Sequence, residues 1–232
     1  MRRFWKSVQS VEADEGWGVE LDGRPVRTPA RAPLVVPSQA LGEAIVEEWG
    51  GVEEEIDPRT MPLTGLANAA IDRVRPEKQA FAEGLARYAE ADLACYRAEG
   101  PAGLVDRQAA LWDELLTWGR RRFDVDFRTT CGLLHVDQPT ATVERLAHAV
   151  GALDPFRLAA LSPLVTIGGS LLAALAVVEG AFTPERAWEA VSVDDRWQLE
   201  QWGSDAEAET ALENRRRDFL AAARFLELLE GS

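Results

Sequence analysis

From Leu158 to Val178 the chain runs for 21 residues without a charged side chain. A stretch of that length has two homes: a bilayer, or a protein core large enough to surround it. Ser162, Pro163, Thr166, Gly168, Gly169 and Ser170 lower its hydrophobicity. Interfacial aromatic belts are missing, as are basic flanks on one side. The expectation is one buried helix ending near Gly180, with no membrane insertion. Other elements must then cover it on all sides. The chain offers 232 residues for this, 47% hydrophobic and 28% charged. That composition suits one large domain or two small ones, and a folded chain.

The covering elements can be read from periodicity. Trp17, Val19 and Leu21 alternate with Gly18 and Glu20, and Asp22-Gly23 supplies a hairpin turn. Phe4 to Val11 is the expected partner strand and Leu34 to Val36 a short apolar one. Ser38 is an expected N-cap, followed by Leu41, Ile45 and Trp49 at helical spacing to about Gly50. Thr64 is an expected cap for a helix through Val74. Beyond Pro76 the pattern is helical: 77–98, 104–123 and 139–152. Another helix opens at Asp154-Pro155 and one at Thr183-Pro184-Glu185. Asp194 is an expected cap for a last helix running nearly to Leu229. Composition changes near residues 72–76. The expected fold class is therefore α+β, with a small β-rich N-terminal domain (1–75) carrying one or two helices and a larger helical bundle (76–232).

Charge and motif content exclude several functions. Lys plus Arg is 25 against 39 Asp plus Glu, a net charge of −14. Such a surface repels nucleic-acid phosphates and anionic lipid. The basic runs 120–122 and 215–217 read as helix-end or solvated-face arginines, with Glu213 and Arg217 in the favourable i,i+4 order. Cys95 and Cys131 stand far apart with no CxxC spacing, which suits a reducing compartment. His135 and His148 fit no metal-ligand pattern. Ser170 lacks a nucleophile elbow, and its neighbours Gly168 and Gly169 suggest close helix approach. No phosphate-binding loop or dinucleotide fingerprint occurs. The expectation is no catalytic residue, no metal and no cofactor.

The remaining conspicuous stretch is WQLEQWGSDAEAE, Trp197 to Glu209. On one continuous helix, Glu200, Ser204 and Glu207 share a face, and Leu199, Trp202 and Ala206 share the adjacent one. An acidic stripe then borders an aromatic one. Gly203 is costly inside a helix, about 1 kcal/mol, and implies a local break or a close backbone approach.

This stretch resembles the C-terminal signature of the assembly chaperones for the catalytic F-one sector of ATP synthase, in particular the family acting on the α subunit. LDGRPVRTPARAPLVVPS (21–38), EEWGGVEEEIDPRTMPLTGLANAAIDRV (47–74), ADLACYRAEGP (91–101), RQAALWDELLTWG (107–119) and GGSLLAALAVVEG (168–180) are similar to family blocks, in order. Gly65 departs from the family, where a larger or basic residue is expected. The resemblance implies a non-catalytic, two-domain protein that shields the unassembled α subunit from aggregation until it pairs with β. Eukaryotic members act in the mitochondrial matrix. This chain begins almost at the first family block, which is expected of a protein of the bacterial cytoplasm. The expected client-binding residues are Glu200, Trp202, Asp205 and Glu207. The segment carrying Asp57, Arg59 and Met61 is a second candidate, against the reading of an inter-domain strap pinned by proline. The rival readings are a binding or scaffold module with another client, and an enzyme with an inter-domain site built from Glu200, Asp205 and Asp92.

Overall fold

Hairpin chemistry organises the N-terminal residues and helix capping most of the rest. The structure, a computed structural model, describes residues 2–132, 134–203 and 205–231, with the Trp202 side chain outside the described set. The architecture is α+β, as expected. The chain forms two compact units: Met1–Lys78 with Asp154–Ala160 and Ala221–Ser232, and Gln79–Leu153 with Leu161–Leu220.

In the first unit, β1 (Val8–Ala13) pairs antiparallel with β2 (Gly16–Leu21), Val8 opposite Leu21. The short strands β3 (Arg24–Pro25) and β4 (Val35–Val36) also pair with β2. Asp22 and Gly23 both take positive φ, 49° and 76°, as a primed hairpin turn requires. The first strand starts at Val8 and not Phe4, because Lys6 and Ser7 donate their backbone N–H groups to the Asp22 carboxylate at 3.0 and 2.8 Å. Those bonds hold Asp22 below the usual carboxylate range. Ser38 caps α1 (Gln39–Gly50) through the Leu41 N–H, and Leu41 and Ile45 are fully buried.

The helix α2 (Pro62–Ala69) begins two residues before Thr64, with Met61 at the cap position and no side-chain cap bond from it. Glu48 takes that role. It accepts from Leu63 N, Thr64 N and Thr64 Oγ1 at 2.7, 2.8 and 2.7 Å. Thr64 is thus a donor inside the helix, which continues as a π turn through Val74. Burial pushes the Glu48 carboxyl up, and these hydrogen bonds offset part of that. Asp154 caps the start of α6 (Pro155–Gly168), accepting from Phe156 N at 2.8 Å. Phe156 stacks on Phe225, from the last turns of α10 (Ala206–Glu230), at 6.5 Å and 17°.

In the second unit the expected 77–98 helix is broken. Its first part is α3 (Lys78–Ala86), followed by 3-10 turns at Arg87–Ala91 and Leu93–Cys95. Then β5 (Tyr96–Arg97) pairs parallel with β6 (Thr130–Cys131). The break centres on Asp92, which is extended (φ −64°, ψ 134°) and 1% exposed. Its carboxylate accepts from Ser170 Oγ at 2.8 Å, Leu172 N at 2.9 Å and Ala94 N at 3.1 Å. The uncharged run is correspondingly two helices. α6 ends at Gly168, Gly169 turns with φ 68°, and Ser170 caps α7 (Leu171–Val178). Residues 171–177 of α7 are all buried, as a helix apolar on every face must be. Among the described residues, no helix is long and apolar enough to cross a membrane. Gly168 does serve close approach, since a Cβ there would lie 3.1 Å from Val191 Cγ1.

This unit also holds α4 (Ala102–Phe123), α5 (Thr140–Ala152), α8 (Pro184–Val191), α9 (Val193–Trp202) and α10 as far as Leu220. Trp112 of α4 is buried and donates Nε1–H to Ala190 O at 2.8 Å. Gln108 is buried too, accepting from Ala98 N and donating to Asp194 Oδ1 at 2.7 Å. Asp194 is therefore engaged with Gln108 from inside the first turn, and α9 starts two residues earlier than that cap would place it, at Val193 after Ser192. Cys95 is buried and its thiol is pushed up to about 12 by burial, an inert sulfhydryl.

Replacing Asp92 by Ala leaves buried Leu172 N, Ala94 N and the Ser170 hydroxyl without their acceptor. Urea unfolding of Asp92→Ala should show a loss of about 2–4 kcal/mol. A loss below about 1 kcal/mol would mean those donors find other partners.

Candidate functional site

The stretch from Trp197 to Glu209 is not one helix. α9 ends at Trp202, Gly203 takes φ 86° and ψ 163°, and α10 starts at Ala206. A Cβ on Gly203 would meet nothing within 4 Å, so the backbone conformation itself calls for glycine here. Asp205 caps α10, its Oδ1 accepting from Glu207 N at 3.0 Å and Ala208 N at 3.4 Å. The shared acidic face expected of a continuous helix is therefore absent: Glu200 belongs to α9 and Glu207 to the first turn of α10. Ser204 and the Trp202 side chain lie outside the described residues.

The break opens a groove of about 510 Å³ between the two helices. Leu199 from α9 and Ala208, Ala211 and Leu212 from α10 give it apolar walls, and Asp205 lines it beside Gly203. Asp195 and Arg215 close it with an ion pair at 2.9 Å, and Arg215 also donates to Ile167 O at 3.4 Å. Glu200 and Glu207 are exposed. Glu200 is paired with Arg107 at 2.7 Å, and the Arg107 guanidinium lies over the Trp197 ring at 4.8 Å. Gly103 lets α4 come up to that ring, since a Cβ there would sit 2.7 Å from Trp197 Cη2. So Glu200 is held by a local cation. Among the described residues, Asp205 and Glu207 form no ion pair.

Arg107, Asp195, Leu212 and Arg215 were not singled out by sequence reasoning. Arg215 sat in a run that reads as a solvated face. Its real partner is 20 residues away on another helix, and the sequence carries no signal for that. The expected Glu213–Arg217 pair is replaced by Glu213–Arg216 at 3.3 Å, with Arg217 beside Asp218.

The second candidate segment lies in the first unit. Asp57 caps the 3-10 turn Pro58–Thr60 and holds Arg59 in a two-pronged pair, Nε to Oδ1 at 3.0 Å and Nη2 to Oδ2 at 2.8 Å. The Arg59 guanidinium keeps the Asp57 carboxyl low. Both groups are at the surface, whereas Met61 is 3% exposed and belongs to the core.

The residues with catalytic potential are dispersed. His135 is exposed between Tyr96 Oη at 3.1 Å and Asp137 Oδ1 at 3.2 Å. Asp92 is buried and saturated by its own scaffold, while Glu200 and Asp205 are at the surface, so the three do not make a common acid–base site. No group of three or more His, Cys, Asp or Glu side chains with metal-holding geometry occurs among the described residues.

Comparison with known proteins gives consistent matches. Residues 2–120 match the family model described as ATP12 chaperone protein. The crystal structure of Atp12 from Paracoccus denitrificans superposes with a TM-score of 0.93 at 42% identity, covering 98% of each chain. A protein of Agrobacterium tumefaciens, described as a candidate chaperone, gives a TM-score of 0.92 at 39% identity, over 98% of this chain and 86% of that one. Protein atp12, mitochondrial, of Schizosaccharomyces pombe is 24% identical over 215 residues, 88% of this chain and 74% of that protein.

Arg107→Ala removes both an ion pair and a stacked cation. It should cost about 1 kcal/mol in urea unfolding, and most of that loss should persist at high salt, because the contact with Trp197 is screened less than the Glu200 pair. A loss that vanishes at high salt would assign the whole effect to Glu200.

Proposed function

This chain belongs to the ATP12 chaperone family, which acts in ATP-synthase assembly, and from that we propose that its client is the unassembled α subunit of the F-one sector. It holds that subunit from aggregating until α pairs with β. The observation that carries the reading is the α9–α10 groove, with apolar walls and the unpaired Asp205 in its lining. A subunit awaiting assembly exposes an apolar interface. Burying a few hundred Å² of it at roughly 25 cal/mol per Å² yields several kcal/mol before binding costs. The acids contribute orientation and on-rate more than affinity.

The client-binding residues in this reading are Glu200, Trp202, Asp205 and Glu207; the alternative candidate is the Asp57–Arg59 turn of the other unit, with Met61 beneath it in that unit's core. Binding needs no catalytic group, and the protein acts as a non-enzymatic holder. The site of action is the bacterial cytoplasm. Two free thiols, buried Cys95 and exposed Cys131, suit such a reducing compartment.

The test is light scattering of purified F-one α subunit diluted from denaturant, with and without equimolar chaperone. Asp205 caps a helix, so charge is best removed by Glu200→Gln, Asp205→Asn and Glu207→Gln together, which keeps the cap. The wild type should suppress aggregation without nucleotide, and the triple variant should suppress it several-fold less at unchanged thermal stability. Full suppression by the variant would remove these acids from the client face. Failure of the wild type would remove the α subunit as client.

A further inference from the structure

A second groove, of about 660 Å³, follows the C-terminal half of α4 and the turn before α8. Its floor is aromatic. Trp118 meets Phe182 edge-on at 6.4 Å and 69°, and meets Phe123 at 5.5 Å and 85°. Phe182 is buried and Trp118 half-buried, so the indole is held in place while part of it faces the groove. Four charged side chains line it: Asp113, Glu114, Arg121 and Arg122. Three are neutralised from neighbouring elements. Asp113 pairs with Arg97 at 2.8 Å, Glu114 pairs with Arg186 at 2.9 Å, and Arg122 pairs with Glu179. Among the described residues, Arg121 alone of the four has no ion pair, and it is exposed.

We infer that this groove is a docking site for a protein segment presenting an aromatic or large aliphatic side chain next to a carboxylate. The apolar side chain lies against Trp118 and Phe182, where edge-to-face contact adds to burial. The carboxylate meets Arg121, whose planar fork can hold both oxygens. A basic segment gains less, because both acids of the groove already have cations. The choice of an acidic segment runs against the whole molecule. With a net charge of −14 the chain repels acidic peptides at long range, so the selection must come from this local cation and should be clearest at moderate salt. The groove is separate from the α9–α10 groove and does not depend on the client proposed there.

The test uses the full ¹⁵N-labelled chain and two blocked peptides of Gly and Ser, one carrying Phe-Glu and the other Phe-Lys. The Trp118 indole N–H signal is identified by its loss in Trp118→Phe, or in Trp118→Tyr if the first variant is poorly folded. The Phe-Glu peptide should shift that signal saturably, and the Phe-Lys peptide should bind roughly two- to fivefold more weakly. Arg121→Glu, an exposed substitution, should invert the order. No saturable shift at millimolar peptide, equal response to both peptides, or an unchanged order in Arg121→Glu would each overturn the proposal.

Discussion

Asp92 places a buried carboxylate, 1% exposed, inside the helical unit, and the packing of that unit depends on how it is satisfied. Burial disfavours its charged form and pushes its pKa up. The acceptor is nevertheless kept, because it faces the N-terminus of α7, where unsatisfied N–H groups and the helix dipole both favour an oxygen. Leu172 N and the Ser170 hydroxyl bond to it from that side and Ala94 N from the other. The chain entering Asp92 must leave its helix to do this, and the uncharged run must turn at Gly169. A backbone bond from Leu93 N to Gly169 O at 3.1 Å fixes the two bends together. α7 can then be surrounded on every face, and α4 and α8 are among the helices that pack against it.

The same economy governs charge at the surface. Many arginines here are answered by an acid on another element: Arg107 by Glu200, Arg122 by Glu179, Arg186 by Glu114, Arg215 by Asp195. Most of these pairs are half-exposed and each contributes little to stability. Their larger consequence is selective. They decide which charges are left over for a partner. In the lining of the α9–α10 groove the charge left without an ion pair, among the described residues, is Asp205, while in the lining of the α4 groove it is Arg121. A strongly acidic chain can in this way offer two grooves of opposite local character, which net charge alone would not suggest.

Features set by near neighbours were legible in the sequence. Ser38, Asp154 and Thr183 cap their helices, and Asp22-Gly23 turns the hairpin, because each depends on bonds or dihedrals within three residues. Features set by distant competitors were not. Thr64 looked like a cap until Glu48, 16 residues away, supplied the acceptor. Asp194 looked like another, but Gln108, 86 residues away, engages it. The helix over 77–98 was periodic enough to be expected whole, and only the burial of Asp92 against Ser170 explains its interruption. At the candidate site, Gly203 was visible as a weak point. The groove it opens needed the Arg215–Asp195 pair, which periodicity places on a solvated face.

Hydrogen exchange on the full chain, free and bound to the purified F-one α subunit, tests the client surface most directly. Slowed exchange is expected across Gln198–Leu212, where the end of α9 and the first turns of α10 border the groove. Protection confined to other segments, with these amides exchanging as in the free protein, would contradict the assignment of the client to this groove.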